Sequence, residues 1–204
     1  MAKDIGRRSK LDDFIAIYNN EDFARPSHFR FSILPAPIKI GSNGAFNSIF
    51  TSSDDLQPVN MLCDSTSLPD IASIPTTASV GEEFPYDIVH DMAYASISAS
   101  FYVRDDMFQK KFFDDWMELT YNKSRGQPYY YDDYTTTVEI YQLKRTLDYK
   151  NLTGDNDWTY KNTLYNVYPK SIAPLSLDWS SSNAIQKLSV TFHYTHWDSE
   201  TNSN

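Results

Sequence analysis

The chain has 204 residues, a formal net charge of −9, 41% hydrophobic residues and a single cysteine. This length supports a core without disulfides, and Cys63 has no second cysteine to pair with. The acidity argues against gripping a nucleic-acid backbone, which takes basic stripes, and no stretch approaches the ~20 apolar residues of a membrane-spanning helix.

The N-terminal "MAKDIGRRSK" is basic, but no apolar run follows it, so no signal peptide is expected. Leu11, Phe14, Ile15 and Tyr18 predict a short helix over 9–19 with Ser9 as its N-cap. Phe29, Phe31 and Ile33 alternate with His28, Arg30 and Ser32, which predicts a half-buried strand. Residues 35–56, rich in Pro, Gly, Ser and Asn, predict an inserted loop or hairpin. Val59, Met61 and Cys63 alternate and predict a strand over 59–67, with Cys63 as a small buried hydrophobe. Residues 74–90 read as extended chain broken by Pro75, Gly81 and Pro85. A strand over 94–103 alternates Ala95, Ile97, Ala99, Phe101 and Val103 against Ser and Tyr.

The strongest helix follows in "RDDMFQKKFFDDWMELTYN". Phe108, Phe112, Trp116 and Leu119 form its stripe, Met107, Phe113 and Met117 widen it, and Asp105 or Asp106 caps it. Residues 123–133 read as a loop, and 134–143 and 159–169 as strands around a hairpin tip at 147–160. A last strand spans 186–196, with Leu188, Val190, Phe192 and Tyr194 on one face. The sum is about seven strands in one mainly β domain over 1–204. It is a β-sandwich or barrel of antiparallel strands with one central α-helix and a short N-terminal helix.

Catalytic chemistry is not expected. The pairs Asp105–Asp106, Asp114–Asp115 and Asp132–Asp133 are adjacent in sequence, so each pair reads as solvated surface. "GDNDW" lacks the glycine and glutamate of an EF-hand loop. His193 and His196 fall on opposite faces of a strand and do not chelate one metal together. No phosphate loop, nucleophile elbow or zinc motif occurs, so neither metal nor cofactor is expected.

Two stretches say more. "NNEDFARPSHFRFSI" resembles the N-terminal signature of the tail tube proteins of contractile-tailed bacteriophages. "VYPKSIAPLSLDWSSSNAIQKLSVTFHYTHW" resembles the C-terminal signature of that family, with its aromatic-Pro turn, Leu-Asp-Trp and Ser/Asn-rich turn before a closing strand. Between them, "MLCDSTSLPD" resembles its Cys-containing second strand and "FQKKFFDDWMELTYN" its central helix. The signature or assembly residues carried over are Phe23, Arg25, Pro26, Leu177, Asp178, Trp179, Asn183 and Trp197.

The resemblance implies hexameric rings whose sheets join into an inner β-barrel and stack into a tube within a contractile sheath. Implied partners are the tail sheath, tape-measure, baseplate and tail-terminator proteins. DNA would pass through the lumen without specific binding, and no membrane is involved. The implied location is the virion tail, assembled in the host cytoplasm. Six copies at −9 each make a strongly acidic ring, and carboxylates facing the lumen would repel phosphates. The N-terminal arm, 1–24, is expected to order between rings. Asp178 is expected to cap its turn, with Trp179 packing on the domain or on a neighbour. The insertions at 35–56 and 147–160 keep a baseplate tube initiator, or a tube of a phage-derived injection system, as alternatives. A carbohydrate-binding β-sandwich, suggested by the many Tyr and Trp, is the remote one.

Overall fold

A computed structural model describes residues 15, 24–35, 53–78, 86–122, 126–144, 157–180 and 184–202. The expected N-terminal helix, the arm apart from Ile15 and Ala24, most of both insertions, and Phe23 and Asn183 lie outside these residues.

Eleven strands are found among the described residues, where about seven are expected. They are β1 (Phe29–Ile33), β2 (Cys63–Thr66), β3 (Ala72–Ala78), β4 (Tyr86–Ala93), β5 (Ile97–Tyr102), β6 (Tyr121–Asn122), β7 (Gln127–Pro128), β8 (Thr136–Leu143), β9 (Trp158–Ile172), β10 (Lys187–His193) and β11 (His196–Thr201). Three helices accompany them: α1 (Ser53–Met61), α2 (Phe108–Thr120) and α3 (Tyr131–Tyr134).

Two antiparallel sheets share β9. Its first part pairs with β8 on one side and β11 on the other, and β1 extends β8, forming sheet A. Its last part pairs with β10, which pairs with β5 and then β2, forming sheet B. The crossover is marked by Asn166 at φ 55, in the left-handed region that Asn tolerates better than most residues. Its amide donates to Thr195 Oγ1 at 3.1 Å, and the Thr195 amide donates to the Tyr165 carbonyl at 3.1 Å. The turn between β10 and β11 therefore falls beside the bend in β9, and two strands change sheet together.

The inner faces meet in an aromatic core. Phe31 of sheet A approaches Phe101 of sheet B with ring centroids 5.6 Å apart, edge to face. Helix α2 closes the core: Phe113 lies 4.9 Å from Phe101, and Trp116 lies 6.0 Å from Phe192. Trp116 is fully buried, and its indole N–H donates to the Tyr134 carbonyl at 2.8 Å, the partner a buried indole requires. Leu188, Val190, Phe192 and Tyr194 are all buried, as their alternation predicts.

Several expectations need correction. Val59 and Met61 belong to α1, not to a strand; Leu56 and Val59, three residues apart, are the buried pair. Met61 is exposed, so the alternation that mimicked a strand was accidental. Asn60 of α1 bonds both Ile33 backbone groups, its Oδ1 accepting from N–H at 2.9 Å and its Nδ2 donating to C=O at 3.3 Å, which blocks one edge of β1. Neither Asp105 nor Asp106 is the N-cap residue of α2; that position is Met107, in the left-handed region at φ 54. Asp106 still accepts the Phe108 N–H at 3.1 Å. The stripe also contains Gln109, fully buried because its carbonyl accepts the Arg104 N–H and its amide donates to the Pro58 carbonyl. The 123–133 loop holds β7 and most of α3. The single closing strand is two, β10 and β11. Cys63 is half-buried against the core, where burial, with the Asp64 charge beside it, pushes its thiol up to about 12.

Candidate assembly surface

Among the described residues, two segments expose clusters of aliphatic side chains. The first is the hairpin β3–β4, which leaves the body between β2 and β5. Every residue of β3 and β4 is exposed except Ala78 and Ala93, and these are only half-buried. In and beside the hairpin, Leu68, Ile71, Ile74, Tyr86, Ile88, Val89 and Met92 are all between 44% and 57% exposed. Thr76 opposes Ile88 and Pro75 opposes Val89, so apolar side chains emerge on both faces of the ribbon. A two-stranded ribbon bare on both faces is marginal in water.

Its root, by contrast, is fixed. Trp197 packs against the core and its indole N–H donates to the Asp70 carbonyl at 3.3 Å. Tyr94 meets Tyr194 edge to face at 6.2 Å, and Pro69 is buried. Burial, followed by the charge of Asp70, pushes the Tyr194 hydroxyl up to about 12, so that it stays neutral.

The second uncovered segment is the connection from β9 to β10. Leu177, Trp179 and Ile185 are 83%, 104% and 70% exposed, around an open groove that Pro174 and Leu175 also line. Asp178 caps the turn as expected: its carboxylate accepts the Ser180 N–H at 3.0 Å and the Ser180 hydroxyl at 2.6 Å. Those two bonds hold its carboxyl below the usual range. Trp179 is fully exposed, so the turn presents the indole to solvent.

The two segments sit at opposite ends of sheet B. Ile97 of β5, on the hairpin side, pairs with Phe192, whereas Tyr102 pairs with Lys187 at the start of β10, on the loop side. The strands between span about 20 Å. Of the remaining sequence-derived site residues, Arg25 and Pro26 lie exposed in the turn before β1, where the Arg25 carbonyl accepts the Gln142 side-chain amide at 2.9 Å. Leu177, Asp178 and Trp179 share the loop, and Trp197 stands apart at the hairpin root. Sequence reasoning missed the hairpin as a site. Its signal was an apolar run without clean alternation, which neither a buried strand nor a solvated loop explains.

No group of three or more His, Cys, Asp or Glu residues arranged to hold a metal occurs among the described residues. None of the described helices is long and apolar enough to cross a membrane.

Solved structures from contractile injection systems share this architecture. Aligned with the sheath–tube complex of an extracellular contractile injection system in the extended state, the chain gives a TM-score of 0.57 at 16% identity, covering 92% of this chain and 97% of that one. The tube-terminating cap of the anti-feeding prophage gives 0.58 at 13%, covering 89% and 93%. The sixfold-symmetrised baseplate of that prophage gives 0.56 at 11%, covering 90% and 99%. At such identities the likeness shows the fold alone. The family model described as phage tail tube protein matches residues 24–200, and the chain belongs to that family of structural tail proteins. No curated protein sequence matches it.

Replacing Trp179 by alanine is expected to leave the subunit's thermal unfolding unchanged, because the indole is fully exposed, and to weaken self-assembly. Sedimentation of wild type and variant beside a melting curve checks both; a lowered midpoint would make Trp179 a local structural residue instead.

Proposed function

We propose that the chain is the repeating subunit of the inner tail tube of a contractile injection apparatus. Six copies close into a ring, rings stack head to tail, and the hollow tube conducts DNA inside a contractile sheath. The observation that carries this is the pair of bare apolar surfaces at opposite ends of one sheet. An interface made from two different ends of a subunit is heterologous, so it propagates into a stack rather than closing a twofold dimer. The hairpin of one copy seated on the Trp179 loop of the next would cover both.

The partners follow from that position. The sheath lies outside the tube, the tape-measure protein occupies the lumen before DNA, and baseplate and terminator proteins cap the ends. The chain has no catalytic role, and it resides in the virion tail after assembly in the host cytoplasm. Similarity to a baseplate structure favours, as second reading, a ring that initiates the tube.

Electron microscopy of the purified protein, with native mass spectrometry and with the initiating complex added, tests the proposal. Long hollow tubes of sixfold rings are expected. A single capped ring would assign the initiator role, and a monomer that binds glycans would overturn both readings.

A further inference from the structure

We infer that the lumen is lined by the outer face of sheet B and that this lining is a hydroxyl surface rather than an acidic one. The inference rests on the tube reading. If rings stack along the line from the hairpin to the Trp179 loop, the strands of sheet B run between successive rings. One face of the sheet then points to the tube axis and the other away from it. The core-side face carries Ala99, Phe101, Val190 and Phe192 and is covered by α2 and sheet A. The exposed side of α2 bears Lys110, Lys111, Asp114, Asp115 and Glu118, of which Lys110 and Asp114 are paired. That charged side is an outer surface. Sheet A is laced with charge on its solvent face as well: Lys161 bridges Glu200 at 2.9 Å and Glu139 at 3.8 Å, and Arg30 lies 4.1 Å over the Tyr141 ring.

The free face of sheet B is different. Ser98 and Ser100 of β5 stand beside Thr191 and Ser189 of β10, with Ser171 of β9 opposite Thr191. Ser98 and Thr191 hydroxyls lie 3.4 Å apart. At one end of this face Lys187 bonds Asp64 at 2.8 Å and lies 5.0 Å over the Tyr102 ring, so this cation is already neutralised. His193 and Tyr168 pack together at the other end, and Lys170 occupies the bulge of β9. Adhesion of a nucleic-acid backbone comes from cations that displace its counterions. A wall of hydroxyls in which Lys187 is tied to a carboxylate, leaving Lys170 at the β9 bulge as an exposed cation, gives a polyanion few charges to hold. Passage would be easy because attraction is sparse, not because carboxylates repel.

Accessible thiols test this in assembled tubes. Cys63 can stay, since burial pushes its thiol up to about 12 and the thiolate is the reactive form. Ser98→Cys and, on α2, Lys111→Cys are made separately. Tubes of each, verified by microscopy, are treated with a small maleimide or with maleimide on a carrier wider than the tube. The small reagent should label both variants. The wide one should label Lys111→Cys alone, and should label Ser98→Cys only in dissociated subunits. Labelling of Ser98→Cys tubes by the wide reagent would overturn the inference while leaving the tube reading standing. Wild-type protein that forms no tubes would overturn the tube reading itself. If Ser98→Cys does not assemble, Ser189→Cys replaces it; loss of tubes with both would also count against the inference, because a thiol facing an open channel disturbs no contact.

Discussion

Subunits carrying Ile88→Asp and Val89→Asp together will fold normally and form no tubes. The two side chains are 49% and 57% exposed and leave the hairpin on opposite faces. Surface substitutions of this kind cost a folded subunit within about 0.5 kcal/mol, so circular dichroism and the thermal midpoint should match wild type. In a tube the account changes. Each large aliphatic side chain buried at a contact contributes about 1.5–3 kcal/mol, and a carboxylate put in its place must be desolvated as well. Losing two such side chains weakens each contact by roughly 10²- to 10⁴-fold, and every subunit repeats the loss. Microscopy and sedimentation at concentrations where wild type assembles read the result. Tubes of normal length from the double variant would remove the hairpin from the interface.

Trp116→Ala should have the largest effect on the subunit itself. Trp116 is fully buried, stacked on Phe113 at 6.3 Å and packed on Phe192 at 6.0 Å, where α2 meets sheet B. Truncating a buried tryptophan costs about 3–5 kcal/mol, and the unpaired Tyr134 carbonyl adds about 1–3 kcal/mol. Against a typical domain stability of 5–15 kcal/mol, the variant is left marginal. Trp116→Phe keeps a ring in the cluster and loses the donor, so it should fall between the two. Urea unfolding of the three proteins measures the ladder. A Trp116→Ala loss below about 1.5 kcal/mol, far under the range for truncating a buried tryptophan, would show that α2 is held mainly by something other than this cluster.

The same two regions show what the sequence makes legible. The face of α2 could be read because Phe112, Trp116 and Leu119 recur at helical spacing, and β10 because Leu188, Val190 and Phe192 alternate. Both patterns exist because one side of each element is buried. The hairpin could not be read this way: with neither side buried, no period is imposed on Ile74, Ile88, Val89 and Met92. Strand β11 escaped because Trp197 is its one apolar side chain among polar neighbours. Helix α1 was hidden by Val59, Met61 and Cys63, whose strand-like spacing straddles the end of a helix and the start of β2. Leu177, Asp178 and Trp179 stood out through family resemblance, but their exposure is a tertiary property: which indole lacks a pocket depends on the whole fold.

The shared strand has a mechanical meaning. Sandwiches whose sheets touch only through side chains can yield by sliding one sheet over the other. Here β9 is one unbroken backbone running through both sheets, and the β10–β11 segment crosses beside it. A push delivered to either sheet reaches the other through covalent bonds, so the subunit resists shear as a single stiff block. In a tube driven forward by its surroundings, such blocks transmit thrust from ring to ring without spending it on internal deformation.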